Sequence, residues 1–173
     1  MTYRKIYFDM DGVLADFVKG CRDLLKLDFI DLNKDIPDDV MWGRMKDFKH
    51  FYLQLEPVDA AVNLFMAMLK IYGPQRVQIL SAIPKPKRGI VNAASDKLLW
   101  TKKYLGDDVM VNLCQREEKQ ALAKGNILID DYLINIIQWR KAGGLGIHFK
   151  SPAQAKGELE HLLTLPMQTS FKN

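Results

Sequence analysis

A chain of 173 residues that is 48% hydrophobic and 27% charged can bury a core of its own, which excludes a disulfide- or metal-stapled miniature and a disordered chain. Its 25 basic residues outnumber its 21 acidic ones to give a net charge of +4, a mild excess that permits an anionic ligand without demanding nucleic acid. The two cysteines, Cys21 and Cys114, sit in no CxxC or Cys/His spacing, so zinc is not expected and both read as reduced structural thiols.

In chain order, residues 4–9 form a short β-rich run that ends in the turn signal Asp11-Gly12. This opening lacks the apolar centre of a secretory signal, and no later run approaches the ~20 apolar residues of a membrane span. A soluble, cytoplasmic protein is expected. From about Phe17 to Tyr72 no strand pattern occurs; Val58, Val62, Phe65 and Leu69 share one helix face, with Pro57 in a plausible first turn. The interval is read as an inserted helical cap, residues 17–72, between core segments 1–16 and 73–173. Short apolar runs at 77–81, 109–113, 126–130 and 145–149 read as further strands. Helices are expected over 95–105, over 132–141 with a stop at Gly143-Gly144, and over 153–163. Strand–helix alternation predicts an α/β fold, a Rossmann-like three-layer core with a parallel sheet and a small helical cap inserted after the first strand.

Charge is segregated along this plan. The stretch from Asp28 to Asp39 holds five aspartates, whereas Lys85 to Lys103 holds six basic residues and one acid. At the carboxyl ends of two predicted strands lie Asp9 and Asp11, and Asp130 and Asp131; in a parallel sheet these ends form one rim, where ligands collect. Four carboxylates there repel one another unless a cation sits between them, and oxygen-only ligation with few protein groups favours Mg²⁺. A plainer reading has Asp130 or Asp131 cap the helix that follows.

The run Asp9-Met-Asp-Gly-Val-Leu-Ala-Asp-Phe17 resembles the first motif of the haloacid dehalogenase superfamily of phosphatases, and in particular of the 5′(3′)-deoxyribonucleotidases. Ser81 in Ile-Leu-Ser-Ala-Ile-Pro looks like the second motif and Ile129-Asp130-Asp131 like the fourth. The segment Asp96-Lys-Leu-Leu-Trp-Thr-Lys-Lys-Tyr-Leu-Gly106 is similar to a helix of that family, and Leu55-Glu56-Pro57 also matches. The resemblance covers residues 4 to about 149. It implies a Mg²⁺-dependent phosphomonoester hydrolase acting on (deoxy)ribonucleoside monophosphates through an aspartyl-phosphate, with Asp9 as nucleophile and Asp11 as general acid and base. Its implied metal ligands are the Asp9 carboxylate, the Asp11 main-chain carbonyl and the Asp131 carboxylate, with Asp130 at or near the ion. Ser81 would hold phosphoryl oxygens.

Two lysines compete for the third-motif role. Lys119 has the expected position, although one residue further from Asp130 than the pattern has it, and Lys97 opens the Trp100 helix. Phe17 and Trp42 are the expected walls of a base pocket, with Phe48, Phe51 and Tyr52 as cap core. Partners expected are a small nucleotide and, by resemblance, a second copy in a homodimer; nucleic acid and membrane are not expected. The basic stretch keeps one alternative open, a phosphatase acting on the 3′ ends of nucleic acid. A small-metabolite phosphatase of the same superfamily and a non-enzymatic binding module are the others, the last disfavoured because both Asp9 and Asp11 are present.

Overall fold

All five apolar runs are strands in the computed structural model, which describes residues 4–27 and 38–165: β1 (Ile6–Phe8), β2 (Val77–Ala82), β3 (Val111–Cys114), β4 (Ile127–Asp130) and β5 (Leu145–His148). Every pairing is parallel, in the order β3-β2-β1-β4-β5. Because side chains alternate along a strand, Ile6, Phe8, Ile79 and Ile129 fill one face, and Tyr7, Leu80 and Leu128 the other. A parallel sheet with two apolar faces must be covered twice. On the first face lie α3 (Asp59–Tyr72), α4 (Ala93–Leu105) and α6 (Pro152–Thr164); on the second lies α5 (Leu133–Lys141). Edge-to-face rings join the layers, Phe8 with Phe65 at 5.2 Å and Tyr7 with Trp139 at 5.9 Å. The three-layer α/β core expected from the alternation is therefore present.

The described residues of the interval from Phe17 to Tyr72 hold helices and no strand, and its last helix belongs with the sheet. Its last helix, α3, packs on β2 and α6 within the sheet-covering layer. The physical reason is topological: β1 and β2 are parallel neighbours, so the chain needs a crossover helix between them, and α3 is that helix. Its buried face is Ala61, Leu64, Phe65 and Met68, with Val62 and Leu69 at the flank, and Pro57 lies before the N-cap Val58 rather than in the first turn. Among the described residues, the helices left outside the sheet-covering layers in this interval are α1 (Phe17–Leu25), α2 (Asp38–Asp47) and a 3₁₀ turn at Tyr52–Gln54. Asp16 caps α1 by accepting the Lys19 N–H at 2.9 Å.

Four hydrogen bonds join this segment and its flanks to the core. Asp16 N–H donates to Glu56 O and Val58 N–H to Leu14 O, both at 2.8 Å. The Trp100 indole donates to Leu55 O at 2.8 Å, which gives Leu55-Glu56-Pro57 and the Trp100 helix a common physical purpose. His50 Nδ1 meets the buried Asp96 carboxylate at 2.8 Å, beside Lys97. Of the acidic stretch, Asp28, Asp31 and Asp35 lie outside the described residues, as does the tail after residue 165. Among the described residues, no helix is long and apolar enough to cross a membrane.

Candidate active site

The chain runs β1 to β2 to β3 toward one edge and then returns to β4 on the other side of β1. The crevice at such a switch point, outside the carboxyl ends of the strands, is where open α/β sheets bind ligands. Asp9 and Asp11 follow β1, and Asp130 and Asp131 end β4, so both carboxylate pairs arrive at this crevice. Asp9 N–H bonds Ile129 O at 2.9 Å, which locks the two strand ends together. Asp9, Asp130 and Asp131 each bring a carboxylate oxygen within 4.8 Å of the others. Gly12, at φ +75°, makes room: a Cβ there would lie 2.1 Å from Asp131 Oδ2.

Two buried lysines reach the carboxylates, but only Lys119 lines the cavity, while Lys97 has no exposed surface. Lys119, 3% exposed, bridges Asp130 Oδ2 at 2.8 Å and Asp9 Oδ2 at 3.0 Å. Lys97, fully buried, donates to Asp11 Oδ2 at 2.5 Å, Ser81 Oγ at 2.9 Å and Ala82 O at 2.8 Å. Ser81 is itself buried and accepts from Lys97, and neither lines the cavity, whose surface at the end of β2 is formed by Ala82, Ile83 and Pro84. Asp130 is fully engaged: besides Lys119 it accepts the Tyr132 N–H and the Asn135 amide, each at 2.9 Å. Asp131, by contrast, opens to the crevice, and Asp11 keeps a buried Oδ1 without a partner.

A cavity of about 510 Å³ rises from this floor. Asp9, Asp11, Lys119 and Asp131 line its base, and Phe17, Met41, Trp42 and Tyr52 form the side contributed by the inserted helices. Tyr52, expected only as packing, is buried against Phe51 and Phe17 and also presents its ring 4.6 Å from the Lys97 ammonium. The outer wall is basic, with Lys85, Lys87, Arg88 and Arg116. The basic stretch of the sequence is thus split. Lys97 is buried beneath the floor against Asp11, Lys85, Lys87 and Arg88 are at the mouth, and Lys102 and Lys103 point away to Asp107 and the Tyr104 ring.

The carboxylates perturb one another as close like charges must. Burial pushes Asp11 up, Lys97 pulls it back and Asp9 raises it again, for a net upward direction. Although it opens to the cavity, Asp131 is pushed up to about 8 by the protein around it and by Asp9, Asp130 and Asp11. Burial alone would lower Lys119, but Asp9 and Asp130 outweigh it and keep the ammonium charged. Two lysines thus leave the cluster short of positive charge. An all-oxygen set of converging carboxylates, with the orphaned Asp11 Oδ1 beside it, fits a hard divalent cation held chiefly by Asp9 and Asp131.

Residues 4–160 match the model of the family described as 5′ nucleotidase, deoxy (pyrimidine), cytosolic type C protein. The chain belongs to this family. It is also 30% identical over 126 residues to "Putative 5′(3′)-deoxyribonucleotidase" of Vibrio phage KVP40, a match that spans 73% of this chain and 65% of that protein's length. A solved structure, a hydrolase from Pseudomonas syringae, is 13% identical, with a TM-score of 0.40 over 93% of this chain and 99% of that one.

Against the sequence expectations, Asp9, Asp11, Lys97, Lys119, Asp130 and Asp131 come together, with Ser81 behind them and Phe17 and Trp42 on the cavity wall. Asn135 was not anticipated. Its amide nitrogen holds Asp130 while its Oδ1 is buried without a partner at the cavity wall. The signal was available in the helical phase. Tyr132, Asn135, Ile136 and Trp139 fall at i, i+3, i+4 and i+7, so the stripe that buries Ile136 and Trp139 also turns Asn135 inward. Neither cysteine is paired, and burial pushes the Cys21 thiol up to about 12.

The tight approach at Gly12 gives a specific expectation for this family member. Gly12→Ala would strain a positive φ and displace the Asp131 carboxylate. Mg²⁺ affinity, read by isothermal titration, should fall at least about tenfold, whereas the thermal midpoint should drop only by the few degrees of a ~1 kcal/mol change. Unaltered Mg²⁺ binding would show that Asp131 does not hold the ion.

Proposed function

We propose that the chain is a Mg²⁺-dependent phosphatase of deoxynucleoside monophosphates. The observation that carries this reading is the floor of the cavity: two carboxylates, Asp9 and Asp11, side by side, each bound to its own buried lysine, under a nucleotide-sized wall of aromatic side chains. Family membership and the likeness to the phage protein support the same substrate class. The reading includes a helical cap inserted after β1, and a cytoplasmic location consistent with two unpaired cysteines.

In the proposed mechanism an Asp9 carboxylate oxygen attacks phosphorus in line, and the bond from phosphorus to the nucleoside oxygen breaks. Asp11, held above the ordinary carboxylate range, gives its proton to that departing oxygen. It then takes a proton from the water that attacks the aspartyl-phosphate, which releases inorganic phosphate and frees Asp9. Lys119 offsets charge on the phosphoryl oxygens, and Lys97, whose three N–H groups go to Asp11, Ser81 and Ala82, fixes the Asp11 side chain. Bound at Asp9, the Asp11 carbonyl and Asp131, Mg²⁺ would neutralise carboxylate and phosphate together. Asp130, saturated by three donors, positions Lys119 and Asn135.

The test is a panel of 5′- and 3′-monophosphates, deoxy and ribo, beside sugar phosphates and an aryl phosphate, with Mg²⁺ or with EDTA. Deoxynucleotides should be hydrolysed fastest and EDTA should stop turnover. Preference for sugar phosphates, or full activity in EDTA, would overturn the reading. Trp42, whose indole N–H is buried without a partner and whose ring lies 5.2 Å from the Arg88 guanidinium, should contact the base. Trp42→Ala is expected to raise KM for deoxynucleotides about 5- to 100-fold, the worth of one stacked base, and to change KM for a small aryl phosphate far less. Equal effects would make Trp42 a packing residue.

A further inference from the structure

We propose that the mouth of the cavity is a second anion subsite, which takes a phosphate or phosphodiester carried by the same substrate on the far side of its sugar. The proposal rests on the phosphatase reading for which end of the substrate lies at the floor. Four cations, Lys85, Lys87, Arg88 and Arg116, line the outer wall, and among the described residues Glu117 is the sole acid there. Lys85 is matched by Glu117 at 2.6 Å, an ion pair that ties the chain after β2 to the 3₁₀ helix Arg116–Leu122 across the mouth. Arg88 packs over Trp42. Among the described residues, Lys87 makes no hydrogen bond or ion pair, and the Arg116 guanidinium rests over the Tyr132 ring at 4.6 Å with no carboxylate paired to it.

Among the described residues, Lys87 and Arg116 therefore leave positive charge in surplus at the outer end, while beneath the floor Lys97 and Lys119 are already paired with carboxylates. The scissile phosphate would be met at the floor by Lys119 and a divalent ion, and Lys87 and Arg116 lie at the mouth, at the other end of the same cavity. A guanidinium stacked on an aromatic ring has its planar fork pre-organised, and a fork facing a cavity is suited to phosphate oxygens. Both ends open on one cavity of about 510 Å³, inside the range of about 300–1,000 Å³ that encloses small ligands. A nucleoside 3′,5′-bisphosphate presents two phosphates in this way, and so does the terminal nucleotide of a strand, whose second phosphate is a diester.

The test is calorimetric binding to full-length Asp9→Asn protein with Mg²⁺, which reads affinity without turnover. The ligands are a deoxynucleoside 5′-monophosphate, the matching 3′,5′-bisphosphate and a 5′-phosphorylated dinucleotide. The bisphosphate should bind at least about tenfold tighter than the monophosphate at low salt, and the advantage should shrink as salt screens it. Lys87→Ala/Arg116→Gln should erase that advantage, weakening the bisphosphate far more than the monophosphate. Tight binding of the bisphosphate alone assigns the subsite to small nucleotides, and tight binding of the dinucleotide as well assigns it to strand ends. Equal affinities for all three, or equal losses in the double variant, would overturn the subsite while leaving the phosphatase reading intact. Hydrolysis of no monoester by the wild type would instead remove that reading, and the binding comparison would still decide the subsite.

Discussion

Asp9→Asn removes turnover: hydrolysis of deoxynucleoside monophosphates falls by at least about 10³-fold, because an amide oxygen is too weak a nucleophile to open the covalent route. The loss is one of chemistry and leaves the fold intact. Asp9 is one of three carboxylates crowded within 4.8 Å, so replacing it relieves repulsion. Lys119 keeps its bond to Asp130, and an asparagine can still accept the Met10 N–H that Asp9 now accepts at 2.8 Å. The thermal midpoint without Mg²⁺ should therefore stay level or rise. A midpoint that collapses would mean that the Asp9–Lys119 pair is a structural strut, and the activity loss would then say little about chemistry.

Asp11→Asn separates the acid from the nucleophile. For a nucleoside leaving group, whose oxygen needs a proton, the loss should be about 10²–10⁴-fold, the usual worth of a positioned general acid. For an aryl phosphate, whose phenolate leaves unaided, the loss in the first step should be much smaller. The substituted amide would still offer an oxygen to Lys97, which also keeps Ser81 and Ala82 as acceptors, so the ammonium is not stranded. Single-turnover kinetics on both substrates check this. Losses of equal size would remove the acid role and leave Asp11 as an anchor for Lys97.

How far these groups could be read from the amino-acid sequence depended on how local their signals are. Asp9 and Asp11, and Asp130 and Asp131, end apolar runs whose parallel pairing is implied by alternation with helices, so a shared rim followed at once. Strand positions were legible for the same reason: Ile127-Leu128-Ile129 is too short and too apolar for anything but a buried strand. What periodicity could not supply was the layer to which a helix belongs. The stripe of α3 is the same whether it faces a cap or a sheet, and only the need to cross from β1 to β2 moves it into the core.

Lys97 and Lys119 looked like rivals because 22 positions of chain separate them, whereas in space they serve different carboxylates of one cluster. Tyr52 and Asn135 were missed for a related reason. Each is a buried residue that also faces the cavity, and burial alone reads as packing. Ser81 was placed on the right strand end, but it is buried and bonded to Lys97, a contact between residues 16 positions apart.

The central claim is that Asp9 carries the phosphoryl group. It is tested most directly by quenching the wild-type protein in acid during turnover of a ³²P-labelled deoxynucleoside 5′-monophosphate and mapping the label by peptide. The account predicts hydroxylamine-sensitive label on the peptide containing Asp9, dependent on Mg²⁺ and absent from Asp9→Asn. Label on another residue, or rapid turnover of Asp9→Asn with no label at all, would contradict it.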